Sequence, residues 1–259
     1  MDKIEQLRIT SVARQDVALD EGVSRVETGP RGGGSSNFEH AANSRLVMKP
    51  GARLVAMDGK SEAAAEFRLL AARLNKLKSQ NKVKRILVAG CIAESGSSLV
   101  CANLALTLAQ NPAQRVMLIE ANLEHTGMDA RFGMEAPLGL SEYLQDGHAL
   151  ESVVHRLAPS GIWFLSAGTA PRSPEDRVQV LSSSKLLGLF RQESDWFDWV
   201  LVDSPPLENW GTAAALTHLC DGLILVIRKG HTSKKVLKRT LNMLDRIPVL
   251  GYAINEVGS

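Results

Sequence analysis

Six apolar runs constrain this chain more than any other feature: "RILVAG" (Arg85–Gly90), "RVMLIEA" (Arg115–Ala121), "IWFLSAG" (Ile162–Gly168), "WVLVDS" (Trp199–Ser204), "GLILVIR" (Gly222–Arg228) and "VLGYAIN" (Val249–Asn255). Their hydrophobicity is continuous rather than alternating, so each is a strand covered on both faces. Between them lie segments with helical spacing: "SSLVCANLALTLAQ" (Ser97–Gln110), "LSEYLQ" (Leu140–Gln145), "SSKLLGLFRQ" (Ser183–Gln192), "TAAALTHL" (Thr212–Leu219) and "SKKVLKRTLNMLDRI" (Ser233–Ile247). Buried strands alternating with helices predict an α/β fold with a doubly wound, mostly parallel sheet. In such a sheet a ligand sits beyond the carboxyl ends of the strands. The loops after Gly90, Ala121, Ala167, Asp203 and Arg228 are therefore expected to border one site.

Upstream, "SEAAAEFRLLAARLNKLKSQ" (Ser61–Gln80) reads as a helix. Ser61 is an N-cap, Glu62 suits the positive helix start, and Phe67, Leu70, Leu74 and Leu77 share one face. Packing on its own domain and docking to a partner both fit that face. Residues 1–60 lack such periodicity and contain "GPRGGGSSN" (Gly29–Asn37), so a mostly disordered, flexible N-terminal arm is expected there, with "RLVAM" (Arg53–Met57) as the segment suited to a specific contact. The expected division is an arm at 1–60 and one domain at 61–259, which suits a chain of 259 residues.

Bulk chemistry excludes several classes. Thirty basic and 28 acidic residues leave a net charge of +2, which gives no reason to expect a nucleic-acid partner. The basic face of "SKKVLKRTLNMLDR" reads as a solvated helix surface. Cys91, Cys101 and Cys220 have no metal spacing and read as reduced thiols. No apolar run is long enough to span a bilayer, and "MDKIEQLRIT" lacks a signal-peptide core. A cytoplasmic protein is expected, with any recruitment to the inner membrane face coming through a partner.

Three segments carry candidate chemistry. "CIAESGSS" (Cys91–Ser98) occupies the place of a phosphate-binding loop, G-x-x-x-x-G-K-[ST], in which backbone N–H groups and a helix N-terminus face the anion. Gly96 stands as the second glycine and Ser98 as the magnesium-binding hydroxyl. Cys91 replaces the first glycine, Ser97 replaces the lysine, and Glu94 adds a negative charge. An ordinary strand-loop-helix junction is the alternative. In "VLVDSPP", Asp203 ends a buried strand, where an aspartate can hold magnesium; a turn or cap residue is the alternative. In "VMLIEANLEHTG", Glu120 is a candidate base, whereas Asn122 is chemically unable to act as one.

Together these segments resemble the cytoplasmic domain of the bacterial tyrosine kinases, the P-loop ATPase-like kinases of capsule and exopolysaccharide assembly related to the MinD/ParA group. The resemblance covers roughly Glu62 to Val257. "AAAEFRLLAARL" is similar to the family's E-x-F-R-x-L-R-T-N-L helix, and "GLSEYLQDG" to its GLSDVLxG. "IWFLSAGTAPRSPEDRVQVLSS" is similar to LPAGPxPPNPxELLxS, "WFDWVLVDSPPLENWGTAAAL" to YDYVIIDTPPVLxVTDAxxL, and "VLGYAINEV" to VLGVVLNxV. The departures fall on the chemistry. The family's P-G-x-G-K-S-T reads A-E-S-G-S-S-L from Ala93 to Leu99, and its D-A-D-x-R reads E-A-N-L-E from Glu120 to Glu124. Its oligomerisation motif E-x-x-R-x-x-R keeps only Arg68, between Ala65 and Ala71. The two tyrosines, Tyr143 and Tyr252, form no tail cluster.

What the resemblance implies is a P-loop NTPase-like domain whose ATP or ADP site, with Mg2+, has weakened. Gly96, Ser97, Ser98 and Leu99 would line the nucleotide, Ser98 and Asp203 would hold the metal, and Glu120 and Asp203 would occupy the catalytic positions. Arg68 and Phe67 would mark an oligomer or partner helix. Losing the lysine removes charge-assisted hydrogen bonds of about 1.5–3 kcal/mol, or about 10- to 100-fold in affinity. The implied function is that of a kinase-like protein with impaired or absent ATP hydrolysis and tyrosine kinase activity. It would act as a regulatory or scaffold partner of a membrane-anchored co-polymerase (chain-length) or export protein, of an active homologue or of another copy of itself. The alternatives are an active tyrosine kinase with an atypical site and a MinD/ParA-like positioning ATPase. Against the latter, MinD's C-terminal amphipathic membrane helix has no counterpart after "VLGYAINEVGS".

Overall fold

The computed structural model describes residues 6–10, 45–47, 54, 56, 61–80, 83–134, 138–192, 196–244 and 247–256. The six expected strands all form: β3 (Arg85–Gly90), β4 (Val116–Glu120), β6 (Trp163–Leu165), β7 (Trp199–Asp203), β8 (Gly222–Arg228) and β9 (Val249–Glu256). They run parallel in the order β9-β8-β3-β7-β4-β6. Three further strands complete a nine-stranded sheet. β1 (Gln6–Thr10) adds antiparallel to β9, β5 (Val154–Ala158) antiparallel to β6, and β2 (Arg45–Val47) parallel to β5.

β1 and β2 lie within the segment expected to be an arm. The sequence reading placed no strand there, because short edge strands satisfy their backbone through a neighbour and need little apolar periodicity. Leu54 and Ala56, from the expected contact segment, are buried, and the Ala56 N–H donates to Asn103 Oδ1 at 3.0 Å. The remainder of 1–60, including Gly29–Asn37, lies outside the described residues.

Alternation along each strand divides the core into two layers. Ile86 and Val88 face the helices α1 (Glu62–Ser79) and α2 (Ser97–Leu108), with Leu104, Leu108, Phe164 and Trp199 in the same layer. Leu87 and Ala89 face the opposite layer, with Val200, Val202, Leu225 and Phe190. That layer is covered by α6 (Pro174–Leu181), α7 (Ser184–Gln192), α8 (Trp210–Thr217) and α9 (Lys234–Met243). Short helices α3 (Met128–Arg131), α4 (Leu140–Gln145) and α5 (Leu150–Val153) fill the connections between β4 and β5.

In α1, Ser61 caps the helix as expected, its hydroxyl accepting from the Ala64 N–H at 3.2 Å. Phe67 turns inward and is 3% exposed among Leu54, Leu70 and Val83. Of the two residues expected to mark a partner helix, Phe67 therefore has its ring in the protein's own core. Arg68, one residue on, is exposed. The three cysteines are free thiols. Among the described residues no helix is long and apolar enough to cross a membrane.

Candidate functional site

β3 is flanked by β8 on one side and β7 on the other, so the chain leaves it at the point where the winding reverses. The loop Cys91–Gly96 leads from there into α2. Gly90 has to be glycine: a Cβ would run into the Ser95 side chain and sit 2.9 Å from the Ile92 carbonyl oxygen. Gly96 opens α2 at φ +85°, and a Cβ there would meet the Asn255 amide, which itself donates to the Ser95 carbonyl at 3.0 Å. Glu94 adopts φ +54°. Glu94 stands where the family motif has glycine, so the loop keeps the glycine conformation after losing the glycine, at a cost of about 1–2 kcal/mol.

The loop after β7 lies against this turn: the Ser204 N–H donates to the Val88 carbonyl at 3.1 Å and the Leu207 N–H to the Gly90 carbonyl at 2.9 Å. The Ala121 N–H donates to the Asp203 carbonyl at 2.9 Å, joining the β4 end as well. Four of the five loops expected to border one site are thus tied together, because Arg228 at the end of β8 reaches Glu94, Nη1 to Oε2 3.3 Å. The fifth joins through Glu120, whose Oε2 accepts the Ala167 N–H at 3.1 Å.

Within this cluster each expected residue has a definite place. Asp203 is fully buried, and apart from the nearby Ser98 hydroxyl neither carboxylate oxygen finds a hydrogen-bond partner among the described residues. Burial pushes its pKa well above the usual carboxylate value, with the Ser98 hydroxyl pulling it down, the Glu120 charge raising it and Arg131 lowering it. A buried carboxylate facing a hydroxyl, with unsatisfied oxygens, fits a hard divalent cation such as magnesium, which takes oxygen ligands and keeps most of its waters. Ser98 and Asp203 would hold it. Ser97, the residue in the lysine position, is buried at 8% exposure, while Leu99 is half-buried beside the α1 layer. Cys91, in the place of the first glycine, is fully buried; burial raises its thiol pKa to about 11 despite a bond with Thr240.

Glu120 has a different set of partners from the one a free base requires. Its Oε1 accepts the N–H groups of Gly127 and Met128 at 2.8 and 2.9 Å, and both oxygens are therefore engaged by main-chain donors. Burial raises its pKa, and these backbone bonds oppose the rise. Asn122 Oδ1 accepts from Glu124 and His125 N–H, closing a turn. Glu124 in turn receives Asn209 Nδ2 at 2.6 Å and Thr212 Oγ1 at 2.8 Å, clasping the start of α8. Lys84 lies just before β3, at the opposite end of the sheet from the loop, and supplies no cation here; Lys82 lies outside the described residues.

Two residues of the site escaped the sequence reading. Glu208 Oε1 accepts the Ala93 N–H at 2.6 Å, inside the loop that should face an anion. For Arg228 the sequence placed the loop that follows it at the site, but not its side chain against Glu94. No spacing rule links either to the loop; only the strand order brings them there.

No family model matches the chain. The tyrosine-protein kinase ptk of Acinetobacter johnsonii is 29% identical over 174 residues, covering 66% of this chain and 23% of that protein. The kinase domain of the Escherichia coli tyrosine kinase ETK superposes with a TM-score of 0.74 at 23% identity, over 86% of this chain and 92% of that domain. The BceF tyrosine kinase domain gives 0.69 at 28% identity, over 79% and 82%. This chain is a homologue of the bacterial tyrosine kinases. It has their P-loop NTPase-like α/β fold, as expected from the sequence. It spans about a quarter of the length of the first of these kinases, 23%.

Proposed function

We propose that this bacterial tyrosine-kinase homologue is catalytically impaired and works in capsule or exopolysaccharide biosynthesis or export as a regulatory or scaffold partner of a membrane-anchored co-polymerase or export protein. The observation that carries this reading is the state of the phosphate loop. A short, buried serine, Ser97, stands in the lysine position, and two carboxylates, Glu94 and Glu208, stand at the loop where phosphate charge would gather. A transition state that spreads negative charge over a transferring phosphoryl suffers most from such surroundings. Glu120 acts in this reading as a brace for the β4 loop rather than as a base, since releasing it would break three main-chain bonds. The apolar layers that make the fold depend on none of these residues.

Titration calorimetry with Mg-ATP, alongside a phosphotyrosine assay, tests the proposal. Binding at least tenfold weaker than that of an active kinase domain, with no phosphotyrosine, is expected; turnover comparable to the active enzyme refutes it. Ser97→Lys is expected to tighten nucleotide binding about tenfold or more, the worth of a charge-assisted hydrogen bond. The rival reading, an active kinase with a rearranged site, draws on one observation: the Ser98 hydroxyl still faces the buried Asp203 carboxylate, and Arg228 lies against the loop. An unchanged affinity in Ser97→Lys favours that rival.

A further inference from the structure

The phosphate loop in this chain is already in contact with an anion, and the anion is its own. Glu208 reaches across from the loop after β7 and places Oε1 2.6 Å from the Ala93 N–H. A carboxylate oxygen on a loop N–H has the same chemistry as a phosphate oxygen in that position. On the other side, Glu94 turns out of the loop at φ +54° and holds Arg228 at 3.3 Å. The two partners of that pair differ: the Arg228 side chain is 20% exposed and the Glu94 side chain 83%. The cation is therefore built into the end of β8, and its partner is a solvated acid that is cheap to displace. Arg228 Nε, buried, has no hydrogen-bond partner among the described residues. The same turn faces the fully buried, unpartnered carboxylate of Asp203 through Ser98, which independently marks the site as made for a cation-bearing ligand.

From these contacts we infer that Glu208 and Glu94 set the anion specificity of the loop. Glu208 fills its N–H donor from within, and Glu94 withholds Arg228, which takes the place of the missing lysine when a ligand displaces that acid. The ligand class is the di- or triphosphate of a magnesium-bound nucleotide. Arg228 suits it because a guanidinium presents five donors in a fork that matches phosphate oxygens. The cation thus arrives from the neighbouring strand rather than from the loop's own helix. This inference rests on the weakened-nucleotide-site reading proposed above and adds its regulation.

The test is calorimetric titration of Mg-ATP, and separately of Mg-pyrophosphate, into the full chain and four variants: Glu208→Gln, Glu94→Gln, the double variant, and the double variant carrying Arg228→Gln. Thermal unfolding without ligand confirms that each is folded. Glu208→Gln and Glu94→Gln are each expected to tighten binding about three- to tenfold, the double variant more than about tenfold, and Arg228→Gln to return it to the wild-type level. Equal affinity in wild type and double variant, absence of binding in both, or a gain that survives Arg228→Gln overturns the inference. Wild-type affinity equal to that of an active kinase domain refutes the impaired-site reading instead, whatever the variants do. Weak wild-type binding with no gain in the variants refutes this inference and leaves that reading standing.

Discussion

The two ends of the central sheet use carboxylates in opposite ways. At the amino end, Asp221 directly precedes β8 and accepts the Lys84 and Arg85 N–H groups at 2.9 and 2.7 Å, tying down the start of β3. Asp198 directly precedes β7 and accepts the Arg115 N–H at 2.9 Å and Lys78 Nζ at 2.9 Å, tying down the start of β4. Each aspartate gives an N–H back to the strand it grips, Asp221 to the Arg85 carbonyl and Asp198 to the Arg115 carbonyl, both at 2.8 Å. At the carboxyl end, Asp203 is more deeply buried than either and, unlike them, has no main-chain donor on its oxygens among the described residues, only the Ser98 hydroxyl nearby. A buried acid with satisfied oxygens stabilises; one without costs stability and is kept for a ligand or for the memory of one. The amino end of the sheet holds the fold together, and the carboxyl end gathers the candidate site.

That contrast breaks most visibly if the amino-end clamps are cut. Asp221→Ala strips two main-chain donors and the Arg85 guanidinium, 3.6 Å away, of their acceptor. A loss of about 3 kcal/mol is expected, with hydrogen bonds to a charged group worth about 1.5–3 kcal/mol each and part of that returned by solvent. Chemical denaturation reads it directly. A change under about 0.5 kcal/mol would show that the clamp is ornamental and the comparison false.

The amount of this legible in the sequence follows the same division. The six parallel strands announced themselves because burial on both faces forces continuous apolar runs, and the two layers followed from alternation along them. β5 did not, since "VHRLA" pairs antiparallel with its His155 and Arg156 between apolar neighbours and is only five residues long. α6 carried a readable start, Ser173 capping Asp176 N–H with Pro174 and Glu175 behind it, yet its helical face is mostly polar. At the site, Gly96, Ser98 and Asp203 could be placed because motif spacing fixes them to one strand end each. The contacts of Glu208 with Ala93 and of Arg228 with Glu94 could not: the loops after β7 and β8 were expected at the site, but which of their side chains reach the loop depends on how β7 and β8 flank β3, a fact of topology rather than of spacing. Glu120 showed its position but not its partners: three backbone donors from two loops turn a candidate base into a brace.

From the other side, removing the charge of Asp203 sharpens the comparison. Because burial raises its pKa in the fold, the native state holds this proton more tightly than the unfolded chain does. Its contribution to stability is therefore greatest below the unfolded value of about 3.9 and falls as pH rises above it. Asp203→Asn removes the charge that burial penalises and keeps a polar side chain of the same size, so it is expected to stabilise the protein at neutral pH while removing any magnesium dependence of nucleotide binding. Thermal unfolding in parallel with magnesium titration measures both. Destabilisation of this variant would mean that the carboxylate has partners in solution and that the carboxyl end is as structural as the amino end.

The smallest effect expected is a pH dependence of opposite sign at Asp198. Burial alone would raise its pKa, but the Arg115 N–H and then the hydrogen bond and charge of Lys78 outweigh it and hold the group below its ordinary value. A depressed folded pKa contributes stability above the unfolded value of about 3.9 and loses it as pH falls through the folded one. Its Lys78 partner is 30% exposed, and ion pairs so open to solvent are worth about 0.2–1 kcal/mol. Asp198→Asn keeps an acceptor for the Arg115 N–H and removes the charge. Its melting temperature should fall below that of the wild type near neutral pH and converge with it as pH falls through the unfolded value of about 3.9 and below. A gap that stays constant across that range would place the stabilisation in hydrogen-bond geometry rather than in charge, and the amino-end clamps would then owe their strength to the two N–H acceptors alone.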